Sequence, residues 1–148
     1  MRDAVLLYER VGKVGKVILN RPQVRNALNA ELVENFGDAI RQADADPETN
    51  VIVLCAAGDK AFTAGFDLKE SIGEPIVDVP ARRENSLMEL NNWRAIWEAK
   101  KPVIASVQGY CIGGGVWMAF LSDMLIASED AKFGEPELKY SYINDVLV

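Results

Sequence analysis

Apolar positions recur along this chain with two different periods, and the switches between them predict most of its elements. Two short runs, Val5 to Tyr8 and Lys16 to Leu19, have strand length, and the Gly12 to Gly15 segment between them reads as a hairpin connection. Asn20-Arg21-Pro22 ends the second strand. From Asn29 the period lengthens: Leu32, Phe36, Ala39, Ile40 and Ala43 fall at helical spacing behind Asn29 as N-cap, and the helix should stop before Asp46-Pro47. Val51 to Ala56, Val103 to Val107 and Met124 to Ala127 are continuous apolar runs, the pattern of strands buried on both faces of a parallel sheet. A second helix is expected over Arg83 to Ala99, with Leu87, Leu90 and Trp97 facing inward, and a short one from Gly114 to Leu121. Gly73 to Pro80, with two prolines and two acids, reads as a surface loop or lid. Strands alternating with helices place the chain in the α/β class.

Composition narrows what such a domain does. With 49% hydrophobic and 26% charged residues in 148, the chain can build a core, and disorder is not expected. The formal net charge is -6 and the basic residues are scattered, so no electrostatic footprint for nucleic acid exists. No apolar stretch approaches the ~20 residues that cross a bilayer, and Ala4 to Tyr8 is too short for a signal-peptide core. A cytoplasmic location is expected. Cys55 and Cys111 stand far apart in apolar runs and read as buried thiols rather than metal ligands. There is no histidine, which removes Ser-His-Asp and Cys-His nucleophilic schemes and most metal sites. Proton transfer falls to carboxylates.

Two loops have the make-up of close-approach sites. Gly113-Gly114-Gly115 follows a strand-like run and opens an apolar helix, so bare backbone and a helix N-terminus coincide where negative charge would be stabilised. Lys60 to Leu68 also follows a buried strand and carries small residues at Ala61, Ala64 and Gly65. Taken alone, each reads equally well as a tight turn.

Together they carry a resemblance. Asn20-Arg21-Pro22 with Asn26-Ala27-Leu28-Asn29, then Ala64-Gly65-Phe66-Asp67-Leu68, then Gly109-Tyr110 with Gly113-Gly114-Gly115, and finally Phe133-Gly134 with Pro136-Glu137 follow the order and spacing of the crotonase superfamily. The chain resembles the N-terminal catalytic part of that family from Val5 to about Glu137. The likeness weakens beyond it, where Lys139-Tyr140-Ser141-Tyr142-Ile143 replaces a Leu-Gly-x-x-Pro segment. It implies a ββα spiral core forming a single domain over residues 1–148, ending ahead of the helices through which the family trimerises. It further implies an acyl-CoA thioester as substrate, no cofactor or metal beyond that CoA, no membrane or nucleic-acid partner, and a homo-oligomer, trimeric or hexameric in the family.

By the same resemblance the backbone N–H groups of Phe66 and Gly114 form an oxyanion hole for the thioester carbonyl. Preorganised donors of this kind contribute roughly 2.7–4 kcal/mol each. Ala27, Ala64, Asp67 and Leu68 would cradle the CoA moiety and Arg25 would reach its phosphates, although Arg25 alone also reads as a solvated surface charge. Trp117 stands where two-glutamate hydratases of the family carry a glutamate, and tryptophan cannot exchange protons at neutral pH. It is expected to shape the acyl pocket. Glu137 matches the family's second catalytic glutamate, and Asp145, eight residues on, resembles the partner aspartate of dienoyl-CoA isomerases. Asp145 also matches the nucleophile position of a dehalogenase branch, but Glu137 and Leu90 replace that branch's tryptophan and histidine. These carboxylates favour isomerisation of an enoyl- or dienoyl-CoA. The alternatives are hydration or hydratase-lyase chemistry on Glu137 alone and a non-catalytic acyl-CoA-binding or assembly protein; RNA binding ranks last at pI ≈ 4.7.

Overall fold

Hydrogen bonding along the chain begins with a hairpin whose strands run further than their apolar cores. In the computed structural model, which describes residues 4–71 and 79–136, β1 (Leu6–Val11) and β2 (Val14–Leu19) pair antiparallel with Val11 opposite Val14. The polar residues Glu9 and Arg10 are exposed yet fully in register, which the apolar pattern had no means of showing. A 3-10 turn (Pro22–Val24) follows, then α1 (Ala30–Ala45), β3 (Val51–Ala56) and β4 (Ala61–Thr63). The chain continues through α2 (Leu68–Ser71), α3 (Val79–Glu98), β5 (Val103–Val107), β6 (Tyr110–Ile112), α4 (Gly114–Leu121), β7 (Met124–Ala127) and β8 (Lys132–Gly134).

Two sheets organise these elements. The larger has the order β1-β2-β3-β5-β7, parallel from β2 onward, and the smaller has the order β4-β6-β8, all parallel. The smaller sheet consists of three-residue strands too short for any apolar period to reveal. Each of its strands follows a strand of the larger sheet by a few residues, so the small sheet is stacked in sequence behind the large one. Its far ends carry the two loops singled out above.

The core lies where α1 and α3 meet the larger sheet. Asn29 caps α1 as expected, its side chain accepting from Leu32 N–H, and Leu32, Phe36, Ile40 and Ala43 are buried against Val17, Leu19, Ile52 and Leu54. At the other end, Asp44 accepts from the N–H groups of Lys100 and Lys101, and the Lys101 ammonium donates to the last carbonyls of the helix at Ala43 and Asp46. A cation on those orphan acceptors also meets the negative end of the helix dipole.

Three expectations need correction. β3 and β5 alternate buried with half-buried positions instead of being buried on both faces. β7 is exposed throughout and forms the edge of the described sheet, so Met124, Leu125 and Ile126 continue an apolar surface with Phe120 and Phe133. The helix starts at Val79, ahead of Arg83, and its inward face is Asn92, Trp93, Ala95 and Ile96; Trp97 is 75% exposed and Leu87 is also exposed. Packing against α1 chose the phase of that helix: Gly37 leaves room for α3, and the Asn92 amide donates to Val33 O. An apolar count cannot see either contact. Of the proposed loop from Gly73 to Pro80, residues 73–78 lie outside the described residues, and Val79 and Pro80 belong to the helix.

Centre and edge of the sheet should therefore differ sharply in stability. Leu54→Ala removes a fully buried side chain and is expected to cost about 2–5 kcal/mol. Ile126→Ala, at a position 63% exposed, should cost under about 1 kcal/mol. Urea unfolding of both variants measures the difference.

Candidate active site

The site is built outward from one buried amide. Asn26, 1% exposed, adopts a left-handed backbone (φ 53°) directly after Arg25 in the same region (φ 56°). Its carboxamide oxygen accepts from Arg21 N–H at 2.8 Å, and its nitrogen donates to Ala57 O and Ala61 O, each at 2.9 Å. Two consecutive left-handed residues are unfavourable outside glycine, and asparagine is among the types that tolerate it best. Full use of the amide offsets that cost and brings residues 25–28 alongside the chain leaving β4.

That chain is then gripped like a parallel strand. Ala64 N–H donates to Arg25 O, Leu28 N–H to Gly65 O and Asp67 N–H to Leu28 O, at 2.8–2.9 Å. Alternation along an extended chain turns the N–H of Phe66 to the opposite edge. Gly65 takes φ 86°, which favours glycine, and a Cβ there would lie 3.1 Å from Ile112 O. The two loops thus approach each other at bare backbone.

The second loop supplies the other free amide. Gly113 turns the chain from β6 into α4 at φ 53°, ψ −120°, held by its N–H to Gly134 O at 2.9 Å. Gly114 is the first residue of α4, where a helix leaves its N–H without an internal partner. Among the described residues neither Phe66 N–H nor Gly114 N–H donates a hydrogen bond. The two residues touch: a Cβ on Gly114 would lie 2.8 Å from Leu28 Cδ1 and 3.2 Å from Phe66 Cε2. Each unpaired amide is a donor open to an oxygen carrying negative charge, and the packing of the Phe66 ring against Gly114 brings the two loops that carry them together.

Aromatic rings close this place on the inner side. Trp117, buried on α4, meets the Phe66 ring edge-on at a centroid distance of 5.8 Å, and Trp93 meets Trp117 at 6.4 Å. Phe36 continues the row at 5.4 Å from Trp93. The surroundings of the free amides are thereby apolar, which strengthens any charge–dipole interaction there.

The remaining residues expected at the site fall into three groups. Asp67 accepts from Arg21 Nη1 at 3.0 Å in a mostly buried ion pair, and the same nitrogen reaches Ala27 O at 2.5 Å, so this carboxylate ties the loop to the 3-10 turn while Leu68 beyond it is exposed. Arg25 lies elsewhere, 6.0 Å over the Tyr110 ring, with Lys132 Nζ 5.4 Å from the same ring. These side chains, Lys60 and the carboxylates of Asp59 and Asp130 line an open cleft of ≈ 300 Å³ at the opposite ends of β4, β6 and β8. Glu137 and Asp145 lie outside the described residues. Sequence reading passed over Arg21 and Thr63 as site residues; neither an arginine after a strand nor a threonine ending one carried a signal of what it holds.

Among the described residues no acidic or sulfur cluster suited to a metal occurs, and no helix is long and apolar enough to cross a membrane. A sequence model of the family described as enoyl-CoA hydratase/isomerase matches residues 9–148. The chain is 45% identical over 144 residues to a Rhizobium meliloti protein named "Probable enoyl-CoA hydratase", covering 97% of this chain and 53% of that one. It is 35% identical over 133 residues to the short-chain-enoyl-CoA hydratase of Clostridium acetobutylicum, covering 90% and 50%. The crystal structure of an enoyl-CoA hydratase/isomerase from Xanthobacter autotrophicus Py2 superposes with a TM-score of 0.86 at 38% identity over 92% of this chain and 50% of that one. The chain spans about half the length of the relatives it matches.

The thiol beneath the second loop gives a pH signature. Cys111 is buried, and burial, with a smaller contribution from Glu135, pushes its pKa up to about 12. Between the ordinary thiol value of 9.0 and that value the unfolded chain releases a proton that the folded chain keeps. Stability contributed by this group is therefore intact below about pH 9 and falls as pH rises above it. Alkylation at pH 8 should leave Cys111 unmodified in the folded protein and label it once urea unfolds the chain, as read by mass spectrometry.

Proposed function

Because the chain belongs to the enoyl-CoA hydratase/isomerase family, we propose that it binds an acyl-CoA thioester and stabilises the derived enolate between Phe66 N–H and Gly114 N–H. The observation that carries this reading is that Phe66 N–H and Gly114 N–H are both without a partner among the described residues, on two loops packed together where the Phe66 ring lies against Gly114. Removing the α-proton of a thioester moves negative charge onto its carbonyl oxygen. Fixed donors in apolar surroundings lower the energy of that charge without having to reorganise.

Proton movement then falls to the carboxylates of the C-terminal stretch. Glu137 takes a proton from one carbon of the bound acyl chain, and returning it two carbons along shifts the double bond. Asp145 is the acid partner in this scheme. Trp117 favours isomerisation, since the apolar ring fills the position at which two-glutamate hydratases hold a second carboxylate. Hydration on Glu137 is the second reading, favoured by the names of the relatives, several of which are hydratases. Ala27, Ala64, Asp67 and Leu68 line the approach of the CoA moiety, and the basic residues Lys60 and Lys132 beside Arg25 in its cleft support a role for that residue at the phosphates, with Asp59 and Asp130 on the same wall offsetting part of their charge. The substrate is the sole bearer of CoA and no metal takes part. A homo-oligomer is the assembly proposed.

Glu137→Gln is expected to lower solvent exchange of substrate α-hydrogens at least 100-fold while CoA affinity changes less than about threefold, because the amide keeps the shape but accepts no proton. Isotope exchange followed by NMR measures the first and calorimetry the second; undiminished exchange would move the base to another carboxylate. Incubation with a panel of 2-enoyl-, 3-enoyl- and dienoyl-CoA thioesters separates the two reactions, with double-bond migration expected and a 3-hydroxyacyl product supporting hydration instead.

A further inference from the structure

The residues adjoining both free amides, Gly65 and Gly115, lean on one buried side chain. Thr63, the last residue of β4, is fully buried. Its hydroxyl donates to Asn26 O at 2.6 Å and accepts from Gly65 N–H at 3.1 Å. The hydroxyl therefore sits inside the grip that orients Phe66. Its methyl faces the other way, and a Cβ built on Gly115 would fall 2.2 Å from Thr63 Cγ2. Gly115 is the second residue of α4, adjacent to Gly114. The methyl thus stops the first turn of the helix at a fixed distance from β4.

We propose that Thr63 is a positioning residue that sets the spacing of the two amide donors, its hydroxyl holding the Phe66 loop and its methyl seating the N-terminus of α4. This inference rests on the enolate-stabilising reading of the same site. A donor pair discriminates an enolate oxygen from a neutral carbonyl only when both N–H groups reach the same point, and misplacement by an ångström costs on the order of 10²-fold in rate. Serine would keep the hydroxyl without the methyl, and valine the shape without the hydroxyl. The absence of Cβ at position 115 is the matching half of the device: no other side-chain atom comes nearer than 3.5 Å to a Cβ placed there.

The test reads the enolate directly. A 3-oxoacyl-CoA enolises readily and its enolate absorbs in the near ultraviolet, so titrating the bound ligand with pH gives its apparent pKa on the protein. In the intact parent chain this value should lie below that of free ligand. Thr63→Val is expected to raise it by about one unit or more, which is a tenfold loss of enolate preference, and to lower turnover of enoyl-CoA by roughly 10–100-fold while KM changes less than about threefold. Gly115→Ala should do the same by pressing on the Thr63 methyl. Thr63→Ser combined with Gly115→Ala should return the apparent pKa to that of Thr63→Ser alone, because the clash is removed with the methyl. Should valine at position 63 prevent folding, the Gly115 pair decides the matter. An unshifted bound-ligand pKa in Thr63→Val or in Gly115→Ala, or failure of the double variant to recover it, overturns the positioning role. A parent protein that binds the 3-oxoacyl thioester without favouring its enolate overturns the oxyanion reading itself, and this inference with it.

Discussion

The carboxamide of Asn26 is the constraint on which the rest of the site depends. It is buried, it satisfies one donor and two acceptors of the main chain, and it holds its own residue in a left-handed conformation. Removing it would leave main-chain groups of Arg21, Ala57 and Ala61 without this partner, and for the buried Ala61 carbonyl the penalty is about 1–3 kcal/mol. Its position allows residues 25–28 to run beside residues 64–67, and that pairing turns Phe66 N–H away from the strand-like contacts. A polar side chain in the interior therefore does what an apolar core cannot. It fixes a direction as well as a distance.

Around that fixed direction the chain places elements of unequal burial. α1 and the larger sheet supply most of the buried core, and β4 and β6 add Phe62 and Cys111 to it. Arg21 and Asp67 tie the outer side of the Phe66 loop to the 3-10 turn. With both side chains only about 15% exposed, this pair is screened less than a surface ion pair, but desolvation takes back much of the Coulomb gain. Its clearer effect is geometric, since one guanidinium nitrogen spans Ala27 O and Asp67. The aromatic row from Phe36 to Phe66 then links the helix interface to the free amides, so packing in the core and access at the site are not independent.

The exposed edge at β7 belongs to the same logic. A sheet whose last described strand is apolar and uncovered presents both unpaired main chain and side chains such as Ile126 and Phe120. Nothing in the apolar run Met124 to Ala127 distinguishes an edge from a centre. Burial is a property of the neighbours a strand acquires.

Sequence alone determined the succession of strands and helices, the N-cap at Asn29, the start of α4 at Gly114 and the two loops that meet there. Each of these follows from local rules: a period, a capping side chain, a residue without Cβ. It also determined the family, through four motifs in order. Tertiary structure decided what those rules do not contain. The inward face of α3 shifted from Trp97 to Trp93 because α1 offers Gly37 and Val33 O to Asn92. The three short strands of the second sheet exist only by pairing with one another. Asp67 proved to be bound to Arg21, and Thr63 to lie between Asn26 and Gly115, contacts spanning 46, 37 and 52 positions of the chain. Short-range patterns report the conformation a segment prefers, whereas hydrogen-bond partners and the orientation of a side chain depend on residues that only folding brings near.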